Sequence, residues 1–380
     1  MRVQVGISNM GEPIRVLQVV AKMERNGYES RIMDIYRNLD RSRVQFDFYT
    51  HRKEKGDFDD EIIGLGGKIY YNNAISPIHF LGYLKELNSF FREHHYDIVH
   101  SHLNSYSGWV LLAAKHNGVK VRIAHSRNSG FDPGWKTIFK GASKLIINIP
   151  PTHRFACSKK AGIWLFGRAF ERDRNSKVIP NAFNCDAFAY NRETRENVRK
   201  ELGIDTETAV VNVGRLTPQK NHEMIFEVFK SFNQRQPDSR LYLFGDGELK
   251  EQIRALADAM EISGRVTFMG NRPDVFKYLN AMDIMLFPSL YEGFGTVAIE
   301  AQCNGLPVLA SDVLPEETRV TALIKYRALK DPISEWAEDL ESLVRQNDRQ
   351  DHSSEMKKAG YDMRTNALNM QNFYLKSIKE

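Results

Sequence analysis

No run of apolar residues in this 380-residue chain reaches the ~18 needed to cross a bilayer. The opening MRVQVGISNMGEPIRVLQVV also lacks the order of charged, apolar and small residues that marks a secretion signal, so a cytosolic protein is expected. Cysteine is scarce. Cys157, Cys185 and Cys303 are odd in number and far apart, with no CxxC pair, which indicates neither a disulfide framework nor a zinc site. There is no tract of low complexity, and 42% hydrophobic with 27% charged residues is the balance of a folded globular protein. No G-x-G-x-x-G follows the first strand-like run, which argues against a nicotinamide enzyme. His222-Glu223 opens NHEMIFE without the second histidine of HExxH, so zinc hydrolysis is unsupported. The D-x-D of Asp57 and Asp59 lies in the charged loop after HRKEKG instead of closing an apolar strand, and a helix N-terminus accounts for it better than a divalent metal.

Acidic residues are nearly missing from one long stretch. Residues 115–177 hold 14 Lys and Arg against three Asp and Glu. They supply most of the imbalance between residues 1–180, with 28 basic and 17 acidic, and residues 181–380, with 25 and 31. Such a block attracts an anionic membrane surface or a phosphate-bearing acceptor, or is simply a solvated basic face. Nucleic acid is not expected, because no helix-turn-helix, zinc finger or aromatic RNA-binding signature accompanies the charge.

The length exceeds what one core usually organises, so two domains are expected. In the first half, IRVLQVV (14–20), VQFDFYT (44–50), GKIYY (67–71), DIVHSH (97–102), VKVRIAHS (119–126) and RFACS (154–158) read as strands between segments of helical periodicity. The pattern restarts with AVVNVGR (209–215), RLYLFGDG (240–247), RVTFMG (265–270), DIMLFPS (283–289) and LPVLASD (306–312). This alternation predicts two doubly wound parallel sheets joined within 180–195. Ligands of such sheets bind beyond the carboxyl ends of the strands, which implies a cleft between the domains. The tail ISEWAEDLESLVRQ and NMQNFYLKSIKE is helical, and the leader 1–13 has no obvious place.

The stretch SLYEGFGTVAIEAQCNGLPVLASD sets Glu292 before two glycines and Glu300 eight positions later. Gly293 and Gly295 put Glu292 on a loop, and Thr296 to Asn304, closed by Gly305, reads as a helix. Its N-terminus suits a phosphate. Carboxylates flanking an anion site are poor phosphate ligands but good acceptors for sugar hydroxyls on either side of a diphosphate. Upstream, VGRLTPQKNHE offers Arg215 and Lys220 as cations to neutralise a departing diphosphate.

EGFGTVAIE matches the E-x7-E element of retaining glycosyltransferase family 4, and GRLTPQKNHE resembles that family's Arg/Lys phosphate loop. The likeness extends over nearly all of residues 14–375, and VLQVVAKMERNGYESRIMDIYRNLD and DIVHSHLNS look closest to bacterial members that assemble capsular and extracellular polysaccharide. E-x7-E alone is a weak signal; its place between DIMLFPS and GLPVLASD, with the Arg/Lys loop upstream, makes it specific. The resemblance implies an α/β GT-B fold, two Rossmann-like doubly wound parallel-sheet domains facing a central cleft. The acceptor-binding domain would span 1–185 and the nucleotide-sugar domain 186–365, with the last helix, 366–380, crossing back to the first. It implies a hexosyltransferase moving sugar from a nucleotide donor, UDP being expected, to a saccharide acceptor for which a polyprenyl-diphosphate link is expected. No cofactor and no metal are expected, and the place of work would be the cytoplasm or the inner face of the cell membrane. By position, Glu292 would hold the donor sugar, with the backbone of Gly293, Phe294 and Gly295 beside it. Thr296 and Val297 would meet the phosphates, Arg215 and Lys220 would clamp the diphosphate, and Glu300 would bind the ribose. Gly270 and Asn271 would face the base, and Gly245 in FGDGELKEQI would line the nucleotide side.

The family's first loop usually carries two adjacent glycines where this chain has Asn26-Gly27, followed by Tyr28. Asn tolerates positive φ, so the loop can keep its shape, while Tyr28 adds bulk near the donor phosphates. The resemblance picks His102 in DIVHSHLNS as the residue close to the reacting sugar, whereas on residue type alone a strand-end histidine reads more simply as a packed one. Asn26, Gly27 and His125 join it as substrate-binding residues. Arg127 stands where relatives often repeat histidine. GWKTIFKGASKLIINIPPTHRF mixes Trp135, Phe139, Leu145 and Ile146 with Lys136, Lys140 and Lys144, which suits a membrane surface or a packed helix with exposed lysines. Two rivals stand beside the transferase: a nucleotide-sugar epimerase on the same architecture, and a catalytically idle partner subunit of a glycosyltransferase.

Overall fold

Parallel strands need a long crossover between them, and the helical segments separating the β-branched runs supply it. The structure, a computed structural model, describes residues 12–25, 27–76, 78–128, 136–346 and 349–379. Asn26, Trp135 and most of the leader lie outside the described residues, as do the side chains of Lys136, Phe139 and Lys140. Two compact units are present: one runs to Ala182 and takes in the chain from Met363, the other is Phe183–Asp362. The sequence reading puts these divisions three residues later, at 185/186 and 365/366.

Among the described residues, the first unit holds a seven-stranded sheet in the order β3-β2-β1-β4-β5-β6-β7. Its strands are β1 (Ile14–Val20), β2 (Val44–Thr50), β3 (Ile69–Tyr71), β4 (Ile98–Ser101), β5 (Val121–Ser126), β6 (His153–Ala156) and β7 (Ser176–Val178). All are parallel, with Val16 opposite Phe46 on one side and Ile98 on the other. The core packs Val16, Phe46, Phe48, Ile123 and Phe155 against Ile32 and Tyr36 of the helix Gly27–Asn38 and against Met370 and Tyr374 of the helix Met363–Ser377.

The second unit holds a six-stranded parallel sheet in the order β10-β9-β8-β11-β12-β13. These are β8 (Thr208–Val213), β9 (Ser239–Phe244), β10 (Val266–Gly270), β11 (Ile284–Phe287), β12 (Val308–Ser311) and β13 (Ile324–Arg327). Its core joins Val210, Leu241, Ile284 and Leu286 to Phe226, Phe229 and Phe232 of the helix His222–Arg235 and to Trp336 and Leu340 of the helix Ile333–Arg345.

Two strands escape the sequence reading, β7 and β13. Both are short edge strands rich in polar residues, Ser-Lys-Val in β7 and Ile-Lys-Tyr-Arg in β13, the composition that guards a sheet edge and weakens the strand signal. The D-x-D stretch serves local structure. Asp59 opens the helix Asp59–Gly64, and its carboxylate accepts the Gly56 N–H at 2.8 Å and the Tyr71 hydroxyl at 2.7 Å.

Candidate active site

In the second sheet the chain leaves β8 for β9 and β10, then returns to β11 on the other side of β8 and continues outward. The loops after β8 and β11 therefore part in opposite directions and open a crevice at the carboxyl ends of those strands. Both loops predicted to carry the chemistry sit there. Four contacts tie them together. Leu290 N–H donates to Gln219 O at 2.9 Å, Gln219 Nε2 to Tyr291 O at 2.8 Å, Asn221 Nδ2 to Pro288 O at 3.2 Å, and Lys220 Nζ to Glu292 Oε1 at 2.6 Å. The Lys220 and Glu292 side chains are only 12% and 9% exposed, so this ion pair is largely desolvated. The ammonium also lies 4.5 Å from the Phe287 ring centroid, where the ring face adds attraction for the cation.

Glycine makes the packing under this loop possible. Gly245 has φ +127° and donates its N–H to Gly270 O at 2.8 Å, while Gly214 N–H donates to Phe244 O at 2.9 Å. The ends of β8, β9 and β10 thus meet at Gly214, Gly245 and Gly270. A Cβ on Gly245 would stand 2.0 Å from Gly214 O, and one on Gly214 would stand 2.5 Å from Lys220 Cε. Asn271 follows Gly270 and is exposed; Arg215 is exposed on the same loop as Lys220.

The helix Thr296–Cys303 starts at Gly295, whose φ of +77° turns the chain from the Glu292 loop into the helix. Gly293, Thr296 and Val297 are half-buried at its mouth, Phe294 is buried, and Glu300 one turn inside is 4% exposed. The sequence reading ends this helix at Asn304, one residue beyond its observed end.

The first sheet reverses between β1 and β4, and there a second polar group of residues assembles. His102 follows β4, donating its backbone N–H to Val19 O at 2.9 Å. Arg127 follows β5. Tyr28, beside the exposed Gly27, stacks on the His102 ring at 6.3 Å between centroids, with the Arg127 guanidinium 6.0 Å from the Tyr28 ring centre. The arrangement of His102 differs from the one the resemblance implies. Its Nε2 faces Gln18 Oε1 at 2.9 Å and its Nδ1 accepts from Arg127 at 3.0 and 3.1 Å, so neither ring nitrogen is open to a sugar hydroxyl. His125 differs: its Nδ1 faces His100 Nε2 at 3.0 Å, while its Nε2 is buried without a partner among the described residues. Burial, reinforced by Arg127, holds all three histidines well below the ordinary imidazole range, and burial lowers Arg127 itself to about 10. The ligand atoms of His100, His102 and His125 lie within 4.8 Å of one another, a spacing that a metal ion could use. Their nitrogens are instead largely occupied by hydrogen bonds, and a guanidinium already sits on His102.

Sequence reasoning misses Gln18, Glu29 and Tyr374. Gln18 had a signal, the one uncharged polar residue inside IRVLQVV; Tyr374 had none, because its partners lie at the far end of the chain. Glu29, in the first turn of its helix, is 6% exposed, and its Oε2 has no partner among the described residues. Burial raises its pKa to about 7. A carboxyl raised in the folded state binds more protons there than in the unfolded chain, so its contribution to stability is complete below the unfolded value near 4.5 and is lost as pH rises toward 7. The loss is about 3 kcal/mol between pH 4.5 and 8. Urea unfolding at these two pH values checks this: the buried histidines add a pH response common to both proteins, so Glu29→Gln should gain about 3 kcal/mol on the wild type between pH 4.5 and 8, and an equal pH response in the two proteins refutes it.

Comparison with known proteins gives the same two-part picture. The family model Glycosyltransferase Family 4 matches residues 25–187, and Glycosyl transferases group 1 matches residues 194–363. The putative glycosyltransferase EpsF of Bacillus subtilis is 31% identical over 373 residues, covering 95% of this chain and 96% of its own. The Escherichia coli UDP-Gal:alpha-D-GlcNAc-diphosphoundecaprenol alpha-1,3-galactosyltransferase is 28% identical over 279 residues, covering 71% and 72%. Among solved structures, Anabaena HepE in complex with UDP and glucose superposes with a TM-score of 0.71 at 18% identity, over 94% of both chains. With both sheets doubly wound and both halves matched along almost their whole length, the chain belongs to the GT-B glycosyltransferases of family 4.

Proposed function

We propose that the protein is a retaining hexosyltransferase that takes a UDP-sugar and glycosylates a lipid-linked saccharide during assembly of a capsular or extracellular polysaccharide. The observation that carries this reading is the desolvated Lys220–Glu292 pair, held by the β8 and β11 loops at the mouth of the helix Thr296–Cys303. Lys220 and Arg215 would hold the diphosphate, with Thr296 and Val297 presenting the helix N-terminus to it. Glu292 would read hydroxyls of the donor sugar and Glu300 those of the ribose. As the bond from the anomeric carbon to the β-phosphate oxygen breaks, the acceptor hydroxyl oxygen bonds to the same face of that carbon and its proton passes to the departing phosphate. The two cations supply charge neutralisation that a metal ion would otherwise give, so no metal or cofactor is required. The lipid-linked acceptor is supported by the substrate in the name of the Escherichia coli relative, and UDP by that name and by the HepE complex.

A thermal-shift screen of UDP-, GDP- and ADP-sugars tests the donor. UDP-hexoses should raise the melting temperature, by the equivalent of about 2.7 kcal/mol at 100 times Kd. A shift with GDP- or ADP-sugars alone refutes the UDP assignment. Retention is read from the anomeric configuration of the product.

The acceptor's lipid also suggests where the protein works. No helix among the described residues is long and apolar enough to cross a membrane. The first unit, however, exposes Ile78 at 80%, Leu81 at 81%, Leu145 at 83% and Ile149 at 62%. Phe80 packs on Trp109 at 4.7 Å and Trp109 Nε1 donates to Ser143 Oγ at 2.9 Å, which brings the segments carrying these residues together, with Lys144 next to Leu145 in the chain. Exposed leucine and isoleucine among lysines fit the inner, anionic face of a bilayer. Leu81→Ser/Leu145→Ser should weaken binding to vesicles containing phosphatidylglycerol by roughly tenfold or more. Equal sedimentation of wild type with neutral phosphatidylcholine vesicles, or no change in the variant, counts against the surface.

A further inference from the structure

We infer that Gln18, Tyr374 and His100 form a hydrogen-bond relay that holds His125 with its Nε2–H as an open donor to a saccharide hydroxyl, which makes Tyr374 a positioning residue of the first unit's site. The saccharide rests on the transferase reading; the hydrogen positions do not.

The assignment starts from Arg127, because a guanidinium only donates. With Arg127 Nε at 3.1 Å and Nη2 at 3.0 Å, His102 Nδ1 is the acceptor. The buried ring is neutral, so His102 carries its hydrogen on Nε2 and gives it to Gln18 Oε1 at 2.9 Å. Flipping the Gln18 amide would set an NH2 against that N–H, which fixes the amide too. Gln18 Nε2 therefore points at the Tyr374 hydroxyl oxygen, 3.4 Å away. The hydroxyl has one hydrogen, and His100 Nδ1 at 2.7 Å takes it. His100 is then protonated on Nε2 and donates to His125 Nδ1 at 3.0 Å. His125 in turn carries its hydrogen on Nε2, the buried atom without a partner among the described residues.

The opposite direction fails on its own terms. If His100 Nδ1–H donated to Tyr374, the hydroxyl hydrogen would face only the Gln18 NH2, and His125 Nε2 would become a lone pair with no donor. Two buried groups would be unmet instead of one. The open group is thus a neutral N–H, which calls for an oxygen lone pair and repels a cation. Arg127 keeps its positive charge, because its acceptors, the His102 ring and Asn181 Oδ1 at 3.2 Å from Nη1, are neutral, and that charge favours an electron-rich oxygen at the N–H. A saccharide hydroxyl oxygen is a matching ligand.

Histidine-labelled full-length protein tests the relay by ¹⁵N spectroscopy of the ring nitrogens, without any ligand. All three rings should be neutral Nε2–H tautomers, and added zinc should leave them unshifted. In Tyr374→Phe, His100 and His125 should become tautomer mixtures while His102, held by Arg127, stays Nε2–H. His125 as Nδ1–H in the wild type, zinc coordination by the trio, or unchanged tautomers in Tyr374→Phe would each overturn the relay. With the donor and acceptor established by activity, Tyr374→Phe should raise the acceptor KM about tenfold with kcat held within about twofold. A fall in kcat with acceptor KM unchanged contradicts a positioning role. If no nucleotide sugar is turned over at all, the transferase reading fails while the tautomer result still judges the relay.

Discussion

Replacing Lys220 by methionine should lower turnover about 10²–10³-fold and cost roughly 3–5 kcal/mol of stability, while Lys220→Met/Glu292→Gln regains most of the stability and none of the turnover. The two effects have different origins. The stability loss comes from removing the cation that sits 2.6 Å from the Glu292 carboxylate, which is only 9% exposed. Neutralising Glu292 in the same chain removes that uncompensated buried charge, and a methionine in the Lys220 position still packs over Gly214 and Phe287. The turnover loss comes from the diphosphate, whose charge builds as the sugar departs and meets Arg215 alone. Calorimetry and nucleotide release on the same three proteins separate these contributions. A double variant that turns over at the wild-type rate would reduce Lys220 to a structural counter-ion, and a single variant as stable as wild type would show that the pair is not desolvated in solution.

Much of this site was readable because its signals are local. GFG between Glu292 and Thr296 breaks the chain and starts a helix within five residues, and the glycine at the end of AVVNVG marks where β8 stops. The double winding followed from strand and helix runs that alternate twice. What escaped depends on long-range contact or on balance between neighbours. His102 looks like a sugar ligand until Arg127 and Gln18 occupy both of its nitrogens. Tyr374 sits in a helix near the end of the chain and finds His100 only because that helix packs into the first unit's core. Glu29 belongs to an ordinary polar helix start by sequence, and only burial raises its pKa to about 7. Edge strands β7 and β13 escaped for a related reason: ladder bonds to one neighbour hold residues whose own pattern is too polar and too short to declare a strand.

Gly245→Ala should lower stability by roughly 4 kcal/mol, a large effect for one methyl group, and take the nucleotide site with it. Two independent penalties act at this position. The φ of +127° is one that a side chain-bearing residue rarely adopts, and the added Cβ would stand 2.0 Å from the carbonyl oxygen of Gly214. That oxygen is backbone and cannot swing aside as a flexible side chain would, so relief must come from moving the β8 loop or the β9 end. Moving the loop carries Arg215 and Lys220 with it, and moving β9 breaks the Gly245 N–H bond to Gly270 O at 2.8 Å. For a unit of this size the loss corresponds to a melting temperature about 8–16 °C lower. Gly264→Ala is the matched control, since its added methyl meets nothing within 4 Å, and it should stay within about 0.5 kcal/mol of wild type. If Gly245→Ala melts with the control and binds UDP normally, the close approach of the two strand ends is not what sets the position of the Lys220 loop.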